Sequence, residues 1–111
     1  MNQKLIKNIN KIDKFTLLSE GEYYGLDIKL SKKIISLLKS LKQQPEIFII
    51  GDGSIQLEYG NSQSGNYLEF CITPENKMDV YKVKNGVKHE ECDAVFDLNR
   101  IEEEIKCFIN N

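Results

Sequence analysis

The chain has 111 residues, 41% of them apolar and 29% charged, with a net charge of -2. That length predicts one domain over residues 1–111 with a core of its own. The balance is too apolar for a disordered tail, and no apolar run approaches the roughly 20 residues needed to cross a bilayer. Asn8, Asn10 and Asp13 interrupt any signal-like apolar stretch at the N-terminus, so the expected location is the cytoplasm.

The first predicted element is a helix over 3–14, with Leu5, Ile9 and Ile12 at i, i+4 and i+7 and lysines around the other face. Gly21 and Gly25, around Tyr23 and Tyr24, predict an irregular connection over 19–28. A second helix over 31–43 carries Ile34, Ile35, Leu37, Leu38 and Leu41, with Ser31 as its expected N-cap and Pro45 as its stop. From residue 46 the apolar period changes from about 3.6 to 2. Ile47–Ile50 is a short apolar run, and Gly51-Asp52-Gly53 is a turn. Ile55, Leu57 and Tyr59 alternate with Ser54, Gln56 and Glu58; Leu68, Phe70 and Ile72 alternate with Tyr67, Glu69 and Cys71. Gly60–Asn66 is a polar loop, and Pro74-Glu75-Asn76 is a turn. Residues 77–83 form a further strand, and Asn85-Gly86 marks a two-residue hairpin returning through a short charged edge over 87–91. The last helix, over 98–109, starts near Asp97 or Asn99, where Asn99 and Glu102 have capping-box spacing, and buries Leu98, Ile101, Ile105 and Phe108.

Together these elements predict an α+β fold: an antiparallel β-meander packed on two N-terminal helices and one C-terminal helix. Its expected centre is Ile9, Ile34, Leu38, Leu41, Leu57, Phe70, Ile72, Ile101 and Ile105.

Part of this pattern resembles a family. Pro45-x-Ile47, then Asp52-Gly53-Ser54-Ile55-Gln56-Leu57-Glu58-Tyr59, then Tyr67-Leu68-Glu69-Phe70 resembles small, largely uncharacterised bacterial proteins of mobile-element or defence-related gene neighbourhoods. The resemblance covers roughly residues 22–83. It departs from the pattern at Tyr59, where tryptophan is usual, and at Ser54, where a second glycine is common. It implies an architecture and no established chemistry.

Motifs for catalysis are missing. Gly51-Asp52-Gly53 lacks the lysine and following helix of a phosphate loop, and no G-x-S-x-G elbow occurs. His89 is the one histidine, in a polar stretch that offers no orienting partner. Cys71, Cys92 and Cys107 are odd in number and widely spaced, which argues against a disulfide framework. Only Cys92 and His89 are close in sequence, so no zinc set of about four ligands forms and no metal or cofactor is expected. Three reduced thiols are expected, Cys71 and Cys107 partly buried.

Charge and register supply the candidate site. Residues 1–44 carry nine lysines and a net +5, whereas residues 45–111 carry a net -7. Such asymmetry marks solvated lysine-rich helices, a polyanion-binding face or an acidic surface that imitates a polyanion. Pairing Leu57 with Phe70 and Ile55 with Ile72 places Glu58 opposite Glu69. Either the two carboxylates are simply solvated, or a partner's cation offsets their repulsion, or they form an acid/base dyad. The expected function is a non-enzymatic protein-interaction module using Gln56, Glu58, Tyr67 and Glu69, with Cys71 beside them. Small inhibitors of host defence complexes, anti-CRISPR proteins among them, work in this way. Nucleic-acid binding through the lysine-rich first half is the alternative, although no base-reading motif accompanies it. A small enzyme using Glu58 and Glu69 is the least supported reading.

Overall fold

The computed structural model describes residues 2–18, 28–51, 53–61 and 65–110. In chain order the elements are α1 (Gln3–Leu18), α2 (Ile28–Ser40), β1 (Glu46–Ile49), β2 (Ile55–Asn61), β3 (Asn66–Ile72), β4 (Lys77–Lys84), β5 (Val87–Val95) and α3 (Leu98–Asn110). The strands form one antiparallel sheet in the order β1-β2-β3-β4-β5. This is the α+β meander expected from the change of period. The expected connection over 19–28, with Tyr23 and Tyr24, and Asp52 of the first turn fall outside the described residues.

One sheet face is apolar and carries the helices. Ile47, Ile55, Leu57, Tyr59, Leu68, Phe70, Ile72, Met78 and Val80 form a continuous core with Leu30, Ile34, Leu37, Leu38 and Leu41 of the α2 region and Ile101 and Ile105 of α3. Of the expected centre, Ile9 is only half-buried, and Ile12 takes its place with no exposed surface. The reason lies in Asn8, which the apolar period treats as an outward residue. Asn8 is buried, and its Nδ2 donates to the Pro45 carbonyl at 3.0 Å and to Gln44 Oε1 at 3.4 Å. These bonds rotate the inward stripe of α1 to Leu5, Asn8, Ile12 and Phe15. Gln44 in turn donates to the carbonyls of Leu38, which also accepts from the Leu41 N–H, and of Leu41 just past the end of α2.

The helix ends also differ from expectation. Asn2 caps α1 by accepting from the backbone N–H groups of Lys4 and Leu5, and the helix runs on to Leu18. Helix α2 begins three residues before Ser31. Ser31 is therefore an interior position, buried beside Thr16 with the two hydroxyl oxygens 3.0 Å apart, and not the N-cap. Asp97 caps α3 by accepting from Asn99 and Arg100, so Asn99 lies inside the helix and its capping box with Glu102 does not form. Strand β5 extends to Val95 because a bulge sets Cys92 and Asp93 against Asp79 alone; Asp93 takes φ 57° and its N–H donates to Asp79 Oδ1 at 2.9 Å.

Three variants test this packing. Leu38→Ala and Leu57→Ala truncate side chains with no exposed surface, and each is expected to cost about 2–5 kcal/mol in denaturant unfolding. Gly60 holds φ 80°, and a Cβ there would stand 2.6 Å from the Asn66 carbonyl oxygen and 3.0 Å from Phe108 Cζ. Gly60→Ala is expected to cost at least about 1–3 kcal/mol, because backbone and not a flexible side-chain tip blocks it. A midpoint equal to that of the parent protein would contradict this.

Candidate functional site

The site lies on the sheet face turned away from α2 and α3. Its register follows from the apolar face: Leu57 pairs with Phe70 and Ile55 with Ile72, so Glu58 stands directly opposite Glu69. The same register continues across the sheet. Glu46 pairs with Glu58, Glu69 with Tyr81 and Tyr81 with Glu90, giving one row of four carboxylates and a phenol across all five strands. At the usual strand spacing this row is roughly 19 Å long. The next row along brings Phe48, Gln56, Cys71 and Asp79 together, and Tyr67 pairs with Gly60 and Val83.

All four candidate residues, Gln56, Glu58, Tyr67 and Glu69, converge at one point. Tyr67 Oη donates toward Glu58 Oε1 and Glu69 Oε1, 2.7 Å from each. Gln56 Nε2 donates to the same two oxygens at 2.6 and 3.0 Å. A phenol has one proton, so Tyr67 divides it between two carboxylates, whereas the Gln56 amide has two and can serve both. All four side chains are half-buried. Tyr81 buttresses Tyr67 edge-on, with ring centroids 5.9 Å apart.

No cation completes this cluster among the described residues. The ion pairs there join Lys4 to Glu46, Lys82 to Glu104, Arg100 to Glu91 and Lys106 to Glu102; none reaches Glu58 or Glu69. Neutral donors therefore hold two like charges side by side. On the same face Lys11 lies 5.3 Å from the centre of the Phe48 ring, at the rim formed by α1. Lys4 shifts the Glu46 carboxyl below its ordinary value, chiefly by a hydrogen bond.

The remaining candidates separate from this cluster. Cys71 is half-buried next to Gln56, and Cys92 and Cys107 are exposed; the expectation that Cys107 would be partly buried fails because it lies on the outer side of α3. Local desolvation, then the carboxylates of Asp79, Glu90 and Asp93, push the Cys92 thiol up and disfavour its reactive thiolate. His89 is exposed on β5. Among the described residues no three His, Cys, Asp or Glu side chains are grouped to hold a metal ion, and no helix is long and apolar enough to cross a membrane. A cleft of about 480 Å³ lies elsewhere, against Lys82, Lys84, Glu104, Cys107 and Phe108. Glu46 and Glu90 join this row through the registers of β1 and β5, which the alternation in β2 and β3 does not fix. The Asn85-Gly86 turn was the available signal for the last of these.

No family model, curated protein or solved structure matches the chain.

Two measurements probe the cluster. Glu58→Gln and Glu69→Gln each remove one of two opposed charges and keep an oxygen that accepts from Tyr67. Each is expected to stabilise the fold by up to about 1 kcal/mol at low salt, with the gain shrinking as salt screens the repulsion. Burial, then hydrogen bonds to Glu69 and Glu58, raise the Tyr67 phenol above its ordinary value, and burial raises Tyr59, whose hydroxyl donates to the Gln43 carbonyl. Because folding favours the neutral phenols, their contribution is complete below about pH 10 and falls as the unfolded chain ionises above it. Phenolate absorbance should therefore show late-titrating tyrosines that Tyr67→Phe and Tyr59→Phe remove one at a time.

Proposed function

We propose that the protein is a non-enzymatic interaction module that binds a basic protein surface through the open face of its sheet. The observation that carries this reading is the opposed, half-buried Glu58–Glu69 pair, held by Tyr67 and Gln56 and without a cation among the described residues. Like charges placed directly opposite on neighbouring strands weaken a sheet by roughly 0.2–1 kcal/mol. A lysine or arginine from a partner converts that cost into attraction. The surrounding residues suit such a group: Glu90 and Asp79 extend the negative surface, and Tyr67 and Tyr81 supply aromatic faces that favour a guanidinium. The row of carboxylates also suits a protein groove that normally receives a phosphate backbone, consistent with the resemblance to mobile-element and defence-neighbourhood proteins. Inhibition of a host defence complex by surface binding is the corresponding biological role, in the cytoplasm.

The test starts with a tagged chain used as bait in its host's lysate and with identification of what it retains. The Glu58→Lys/Glu69→Lys double variant should keep a cooperative melting curve and lose that partner by at least about tenfold in affinity, with a shallower salt dependence. Glu58→Gln/Glu69→Gln should fall between it and the parent protein. Equal affinities in folded variants would remove the pair from the interface.

A further inference from the structure

The two edges of the sheet differ. At β1, Lys11 Nζ donates to the Ile47 carbonyl, Asn8 donates to the Pro45 carbonyl and Lys4 pairs with Glu46, so α1 guards that edge. At β5, every residue from Val87 to Asp93 is exposed, and Val87 and Val95 retain 57% and 71% of their surface. We propose that β5 is a self-association edge, pairing antiparallel with β5 of a second copy about a two-fold axis at His89.

The occupant follows from hydrogen-bond parity and charge. Asn85 and Gly86 both have positive φ, as a two-residue hairpin requires, which makes Lys84 and Val87 a hydrogen-bonded pair. Lys82–His89 and Val80–Glu91 are then hydrogen-bonded pairs as well, and the backbone groups of Lys88 and Glu90 point away from β4. A second strand must bond to those outward groups. Only even-numbered residues can therefore face even-numbered ones across the axis. Centring on Lys88 sets lysine against lysine, and centring on Glu90 sets glutamate against glutamate. Centring on His89 sets Lys88 against the second copy's Glu90 and Glu90 against its Lys88, two opposite-charge pairs flanking about four backbone hydrogen bonds. Val87 then faces the second copy's Glu91, and the bulge at Cys92 and Asp93 ends the pairing. The charges that deter an unrelated apolar strand thus select one register with an identical strand. The interface is short, so association is weak and reversible. This proposal does not rest on the Glu58–Glu69 pair, although Glu90 also ends the row of carboxylates that runs through it.

Analytical ultracentrifugation of the full chain over about 10 µM to about 1 mM, a range suited to a small interface, should show the mass rising from 12.8 kDa toward twice that value. Lys88→Glu alone and Glu90→Lys alone place like charges at both pairs and should weaken association at least about tenfold. The Lys88→Glu/Glu90→Lys swap recreates both pairs and should restore it, which separates a register-specific contact from any effect on folding. A constant monomer mass, association unaffected by the single variants, or a swap that stays monomeric would overturn the proposal.

Discussion

The register between β2 and β3 governs this molecule. Ile55, Leu57 and Tyr59 on one strand and Leu68, Phe70 and Ile72 on the other are all buried against α2 and α3. A slip of one residue would turn three of these side chains outward at once. Full burial of such a side chain is worth about 1.5–3 kcal/mol, so the register outweighs any local repulsion it creates. Glu58 and Glu69 face each other because their apolar neighbours must. The fold tolerates the contact by supplying Tyr67 and Gln56, whose donors cover the inner carboxylate oxygens without cancelling either charge.

This explains which parts were legible in the sequence. Strict alternation in β2 and β3 is a strong signal, since it reports burial directly, and the candidate quartet could be read from it. Helix α1 was harder. Its inward stripe includes Asn8, a residue whose burial depends on a carbonyl at Pro45 and a side chain at Gln44, 37 and 36 residues away. No local period encodes such a long-range hydrogen bond. Ser31 misled for a related reason: a serine near a helix start reads as a cap, whereas here it lies in a polar contact between α1 and α2. The choice between Asp97 and Asn99 turned on which side chain meets free backbone N–H groups, a question of geometry that spacing leaves open. The far reach of β5 required the bulge, and the bulge depends on Asp79 accepting from Asp93 across the sheet.

The charge asymmetry of the chain also acquires a spatial meaning. Lysines of the first half decorate α1 and α2, and some of them fold back onto the second half: Lys4 onto Glu46, Lys11 onto Phe48, and Lys33 within 5.8 Å of the Phe96 ring centre. Arg100 and Lys82 hold carboxylates along the helical side of the sheet, and the Glu91 carboxyl sits below its ordinary value chiefly through its hydrogen bond from Arg100. Compensation is therefore efficient around α3 and at the β1 edge. It stops at the middle of the open face.

That boundary matters physically. A solvated carboxylate gains little from an outside cation, because water already screens it and ordering two long side chains offsets the attraction. A half-buried pair is different: part of its hydration is already lost, its donors are fixed, and its geometry is set by a sheet that cannot relax without exposing apolar side chains. The ordering of the acidic partner has been completed by folding. An incoming guanidinium would meet two positioned acceptors flanked by the Tyr67 and Tyr81 rings. A mobile lysine of the chain's own would satisfy the carboxylates and leave the face inert. Neutral donors satisfy the geometry of the two carboxylates while leaving their charge available to an incoming cation.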